Sequence, residues 1–251
     1  MTTVTKNRST AITLNRLVYQ ISRHWLPFIS LLLLVFVGLP WLAPLFMAWG
    51  WTRAATIIYA IYSIQCHQMP QRSFFLFGRE TMYSLPQIQS VWMDTVNPLE
   101  LRRYIGDSTM GWKVAWSDRM VYMYGSVLLV TAVLFLPFRN RLKSPPLPVF
   151  FLLLLPMAVD GISHFISDLI GGIGDGFRYH NSWLADLTNN RFAATFYVGD
   201  ALGSFNSWMR LISGLCFGLA VVWFLYPHIQ AGFADTARQI ERKFAQKGLK
   251  L

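Results

Sequence analysis

Two groups of side chains in this 251-residue sequence are equipped for chemistry. Cys66, His67, Gln68, Arg72 and Ser73 fall within one short stretch, and Asp160, His164 and Asp168 recur every four residues further on. A thiol beside an imidazole is a candidate nucleophile, because a neighbouring imidazolium favours the thiolate. The same pair, joined by His164 and a carboxylate, offers sulfur, nitrogen and oxygen donors to a metal. The local pattern argues against both. Adjacent Cys and His is not a usual chelating spacing, no oxyanion-stabilising motif accompanies Cys66, and a cysteine at a helix end is usually a small hydrophobe. No catalytic residue, resident metal or cofactor is assigned, and Cys66, His67 and His164 are the weak metal candidates. Cys216, between Leu215 and Phe217, reads as packing.

Residues four apart lie on one face of a helix, so Asp160, His164 and Asp168 share a stripe. The composition places that helix in a membrane. The chain is 54% hydrophobic and only 14% charged, outside the usual soluble range, and its 16% aromatic content excludes disorder. Four stretches, at about 25–49, 119–138, 147–170 and 208–227, are long and apolar enough to cross a bilayer core of ~30 Å. The expected fold is therefore all-α: a polytopic membrane protein with four transmembrane helices, short interfacial or amphipathic helices and an ordered outer loop. A shorter apolar run at 54–66 reads as a buried or interfacial helix. Residues 1–24 form an amphipathic cytoplasmic segment, 25–228 the transmembrane domain with outer segments 50–118 and 171–207, and 229–251 a basic amphipathic tail.

The net charge of +10, from 22 Lys and Arg against 12 Asp and Glu, would suggest nucleic acid in a soluble protein. Its distribution suggests topology instead. Lys6, Arg8, Arg16 and Arg23 precede the first span, Arg139, Arg141 and Lys143 follow the second, and Arg238, Arg242, Lys243, Lys247 and Lys250 follow the fourth. Only Asp235 and Glu241 oppose them there, so these segments hold the whole excess. Basic flanks stay inside, which gives a multi-pass protein of the cell inner (plasma) membrane with both termini cytoplasmic and no nucleic-acid partner. The first span is longer than a signal-peptide core and lacks a small-x-small cleavage site, so it is expected to remain as an anchor. The glycine run at 171–176 has no strand before it and is expected to be a flexible outer turn rather than a phosphate loop.

With this orientation the unusual polar residues converge at the outer face. Asp160 and His164 lie ~15 and ~9 Å inside the end of their span at 1.5 Å per residue. An ionised group near mid-bilayer costs ~3 kcal/mol or more and faces a bundle interior, an opposite charge or a pathway. A pair between Asp160 and Arg119 or Arg210 is the economical solution. Arg119 and Arg210 lie within a turn of their span ends, where a lone Arg often only snorkels to the interface, and Asp168 is expected to be solvated.

The stretch IYSIQCHQMPQRSFFLFG resembles the signature of an uncharacterised family of predicted bacterial and archaeal membrane proteins, the DUF2085 family. Cys66, His67, Gln68, Pro70, Arg72, Ser73, Phe74 and Gly78 match its pattern. Arg119 with Tyr124 and Gly125, the pair Asp160-Gly161, and Asn206, Arg210, Leu211 and Gly214 match its later positions, so the resemblance runs from Tyr59 to Pro227. Two departures stand out. Family members carry C-x-R-C around the middle arginine, whereas this chain has Ser117, Asp118, Arg119 and Met120, so a three-cysteine metal or redox site cannot form. The segment 79–113 reads as an insertion. The resemblance brings no activity with it.

Three functions fit the residues. The first is an outward-facing polar pocket of Cys66, His67, Gln68, Arg72, Ser73, Arg119, Asp160, His164 and Arg210 that takes an anionic or lipid-type ligand, since a guanidinium fork grips phosphate or carboxylate in a bidentate manner. The second is a non-catalytic membrane subunit whose polar residues form a structural ion-pair network and whose outer loop docks a protein partner. The third is a small proton-coupled carrier using Asp160 and His164 as a relay.

Overall fold

The computed structural model describes residues 2–250, with side chains from Thr10 onward. Met1, Leu251 and the side chains of Lys6 and Arg8 lie outside the described residues. Four helices are long and apolar enough to cross a membrane: Trp25–Ala48, Asp118–Phe138, Leu147–Gly171 and Phe205–Gln246. The fourth runs without a break through what the sequence marks as a separate tail, so span and tail are one helix of 42 residues. Five-residue π-turns interrupt the second helix at Thr131–Phe135 and the fourth at Val221–Leu225. Each precedes a proline, Pro137 or Pro227, by two residues. A proline ring collides with the carbonyl four residues back, here that of Val133 or Trp223, and the wider turn makes room for it.

The fourth helix lies between the second and the third, which make no extended contact with each other. Its seam with the second is built on Gly214 and Gly218, the small-xxx-small spacing that lets apolar helices approach closely. A Cβ on Gly218 would lie 2.6 Å from the carbonyl carbon of Ser126, and one on Gly214 would lie 2.7 Å from Cβ of Tyr122. Ser126 donates its hydroxyl to the carbonyl of Gly214 at 2.7 Å, closing that seam. The third helix leaves Leu152, Val159, Phe165 and Leu169 more than half exposed, as a lipid-facing surface requires.

At one end of the bundle Trp25, at the start of the first span, meets Phe135 and Tyr226 edge-on with centroids 5.9 and 5.6 Å away. The same contact gathers the N-terminal helix Thr2–Arg23, the turn after the second span and the far half of the fourth helix at that end. Tyr19 donates to Glu241 at 2.9 Å across the two terminal helices.

The expectation of an all-α chain is corrected at the opposite end. The segment between the first and second spans carries a small antiparallel sheet, β1 (Ser73–Leu76), β2 (Gly106–Asp107) and β3 (Gly111–Ser117), in the order β1-β3-β2. β3 is buried on both faces, so it lacks the polar-apolar alternation by which a strand is recognised. Its Trp116 is fully buried among Phe36, Tyr62 and Tyr124, with centroids 5.0 to 5.3 Å away, which pins the sheet to the first and second spans. β3 passes without a loop into the second span at Asp118. The short helix Thr52–Tyr62 takes the place expected for the buried run at 54–66.

Lys113 of β3 is fully buried and donates to the carbonyls of Gln68 and Arg102, each at 2.8 Å. Burial pushes its ammonium pKa down to about 7. Between there and the ordinary value of 10.5 the unfolded chain holds the proton more tightly than the folded one, so stability should rise with pH across that window. Thermal unfolding of the wild type and Lys113→Met at several pH values should show this rise in the wild type only. Gly218→Leu should destabilise the detergent-solubilised protein by at least about 1–3 kcal/mol through overpacking. Gly38→Ala, whose Cβ would meet nothing within 4 Å, should not lower the unfolding midpoint and should raise it slightly.

Candidate functional site

Opposite the aromatic cluster, charged side chains from five segments meet around the start of the fourth span. Arg210, one turn into that helix, is 1% exposed. Its Nε donates to Asp118 Oδ2 at 2.7 Å, one terminal nitrogen donates to Asp200 Oδ1 at 2.8 Å, and the other donates to the Asp200 carbonyl at 2.6 Å. Asp118 sits where β3 becomes the second span, and its other oxygen accepts the Arg119 backbone N–H at 2.7 Å, as suits an acid at a helix start. Asp200 also binds Arg72, whose Nε donates to Oδ2 at 2.8 Å. Burial works against ionisation of Asp200, but Arg72 and Arg210 outweigh it and hold this carboxyl well below the usual range. Arg72 in turn reaches Asp168 at 3.2 Å and the Tyr179 hydroxyl, which itself donates to Asp168 at 2.7 Å. Burial likewise disfavours the charge on Arg72, and Asp200, Tyr179 and Asp168 more than restore it.

His164 lies buried at the centre. Its Nε2 is 3.2 Å from Asp200 Oδ1, and its Nδ1 is 3.4 Å from an Arg72 nitrogen. A nitrogen of Arg210 also lies 3.5 Å from Nε2, so the ring faces a guanidinium on each side and the Asp200 carboxylate at Nε2.

Asp160 belongs to a second group. Its Oδ1 accepts from Arg178 at 2.7 Å. Its Oδ2 lies 2.8 Å from a terminal nitrogen of Arg119, but that contact is out of line for a hydrogen bond, and Oδ2 is left without a hydrogen-bond partner. Arg178 is held on all sides: it donates to Ser163 Oγ at 2.7 Å and Asn206 Oδ1 at 3.1 Å, and its backbone N–H reaches Ser167 Oγ at 3.0 Å. The glycine run brings it there. A Cβ on Gly176 would lie 2.3 Å from the Ser167 carbonyl oxygen, and one on Gly171 would lie 2.5 Å from the Gly176 Cα. The expected flexible turn is therefore a tight one, folded back onto the third span so that Arg178 faces Asp160.

A cavity of about 680 Å³ borders this network. Of the residues marked in the sequence, Cys66, His67, Gln68, Arg72, Arg119, His164, Asp168 and Arg210 line it, while Ser73 and Asp160 do not. Met120, Phe165 and Leu169 complete an apolar wall where the second and third spans stand apart. Cys66 is buried, with Sγ accepting the backbone N–H of Gln68 at 3.3 Å and of Ser117 at 3.4 Å, and His67 is exposed. The Gln68 amide is committed to the carbonyls of Tyr59 and Ala115 at 2.9 and 3.0 Å, and Ser73 donates to the Met69 carbonyl at 2.8 Å. Among the described residues no three His, Cys, Asp or Glu side chains are grouped to hold a metal.

Asp160 thus pairs with Arg119 in distance and with Arg178 in hydrogen-bond geometry, while Arg210 serves Asp118 and Asp200. Asp168, expected to be solvated, is a quarter exposed and paired with Arg72. Arg178 and Asp200 are the partners that sequence reasoning misses, because both sit in a polar loop segment where charges ordinarily face water. The one signal pointing to them is the glycine run, which can fold a loop back against its helix.

Arg210→Met should leave Asp118 and Asp200 buried without their cation, at a cost of about 3–5 kcal/mol, seen as lost expression or a much lower unfolding midpoint. Arg210→Lys should not restore stability, because one ammonium cannot reproduce the fork that binds two carboxylates at once.

No family model matches this chain. It is 28% identical over 176 residues to the uncharacterized protein MJ1492 of Methanocaldococcus jannaschii, an alignment covering 66% of this chain and 84% of that protein. No solved structure matches it.

Proposed function

We propose that the chain is a multi-pass inner-membrane protein, related to the DUF2085 family, that binds an anionic lipid-type ligand in an outward-facing cavity. Both termini are then cytoplasmic, at the end where Trp25, Phe135 and Tyr226 meet and where the basic segments 10–23, 139–143 and 238–250 gather. The observation that carries the ligand reading is the composition of the cavity wall. Arg72 and Arg119 present partly exposed guanidiniums, with 18% and 23% of their side chains accessible, beside the apolar surface of Met120, Phe165 and Leu169. An anionic head group fits the first and an acyl chain the second, and the gap between the second and third spans is where a bilayer lipid would reach both.

The structural-network reading draws on a different observation: Arg210, Asp118 and Asp200 are wholly buried and mutually neutralised, which needs no ligand. Both readings hold for different parts of the same cluster. The carrier reading gains no support, because Asp160 has Arg178 as its hydrogen-bond partner, a guanidinium does not release protons, and no hydrogen bond joins the Asp160 carboxylate to His164.

Protein purified from membranes should retain anionic phospholipid above its share in those membranes, measured by mass spectrometry of the extracted lipids. Retained lipid in bulk proportions would overturn the ligand reading.

A further inference from the structure

We infer that Arg119 is the anion-binding arm of the cavity, released from Asp160 to take a phosphate group while Arg178 continues to balance the charge of Asp160. This rests on the ligand reading above and names the residue and chemistry that make it work.

Four arginines and four aspartates make up the cluster, but their contacts divide them unequally. Arg72 and Arg210 share Asp118, Asp168 and Asp200, a group short of positive charge. Arg119 and Arg178 share the single carboxylate of Asp160, a group with one cation in surplus. The second group is therefore the one with a cation to offer, and only Arg119 of that group borders the cavity, which Asp118 and Asp168 of the first group also line. Arg178 has its hydrogen bonds filled by Asp160, Ser163 and Asn206.

The contact between Arg119 and Asp160 is the weakest of the close ion pairs in geometry. It has the distance of an ion pair without the alignment of a hydrogen bond, and Asp160 Oδ2, in a residue only 4% exposed, has no hydrogen-bond partner. Gly161 keeps the guanidinium from being locked in place by a side chain. A Cβ there would lie 3.0 Å from the other terminal nitrogen of Arg119, so the arm rests across the bare backbone of the third span. When Arg119 swings away, Asp160 keeps its in-line bond to Arg178, so departure does not strand a buried charge. The fork then meets phosphate oxygens in a bidentate pair, the geometry guanidinium favours.

The ligand's phosphate can come from a lipid head group or from a water-soluble ester, and two probes separate these sources. Phosphatidylglycerol against phosphatidylcholine retention is measured by native mass spectrometry of protein released from nanodiscs of equal composition, and glycerol phosphate binding by calorimetry in detergent. The wild type is expected to prefer phosphatidylglycerol, Arg119→Gln to lose that preference by about tenfold while folding normally, and Asp160→Asn to strengthen it about threefold by removing the competing carboxylate. Glycerol phosphate binding with the same dependence on Arg119 would make the source water-soluble and support the same arm. If Arg119→Gln binds phosphatidylglycerol as the wild type does, or fails to fold, the assignment of Arg119 is overturned while the ligand reading stands. The assignment is equally overturned if Asp160→Asn binds no more tightly than the wild type. If the wild type prefers neither probe, the ligand reading itself falls.

Discussion

The guanidinium of Arg210 sits between Asp118 and Asp200, and the half of the molecule away from the termini is arranged around that contact. Each of the three groups is almost wholly removed from solvent, which costs several kcal/mol per ion unless every charge is met by another. The planar fork of an arginine meets this requirement because it can address two carboxylates and a backbone carbonyl from fixed directions. Asp118 fixes where the second span begins, and Asp200 fixes where the loop segment before the fourth span comes to rest. Asp200 then holds Arg72 and His164, and through them the motif that follows Cys66 and the inner stripe of the third span.

The two ends of the bundle are joined by different physics. At the end bearing the termini, Trp25, Phe135, Tyr226 and Phe233 interlock as rings, and between the two ends the glycine seam of the second and fourth helices brings backbones together with dispersion and few polar contacts. At the opposite end, ion pairs tie the third span to the rest, since it packs along the fourth helix and stands apart from the second. Dispersion is lost steeply with small separations, whereas a charge can exchange one partner for another of the same sign at little net change.

Much of the frame is legible in the sequence. The four spans follow from apolar length alone, and the grouping of basic flanks agrees with the gathering of three segments at one end of the bundle. Asp160 and His164 announce themselves because a charge at that depth must be met by something. What meets them is hidden. Arg178 and Asp200 look like loop charges, and nothing local distinguishes a polar segment that folds back from one that stays in water. The short strand β3 is hidden for the opposite reason, being buried on both faces and carrying a lysine where a core strand would carry valine. The glycines at 214 and 218 are visible as a small-xxx-small pair, but their neighbour across the seam, Ser126, is set by three-dimensional packing.

The fourth helix links these observations in a mechanical sense. At 1.5 Å per residue its 42 residues make a rod of about 63 Å, roughly twice what a bilayer core requires. Arg210 sits near one end of the rod and Glu241, which meets the N-terminal helix through Tyr19, near the other. The π-turn at Val221–Leu225 lies between these two ends. The charge cluster at one end of the bundle and the paired terminal helices at the other are therefore joined by one helix, and a tilt of that helix cannot be confined to either.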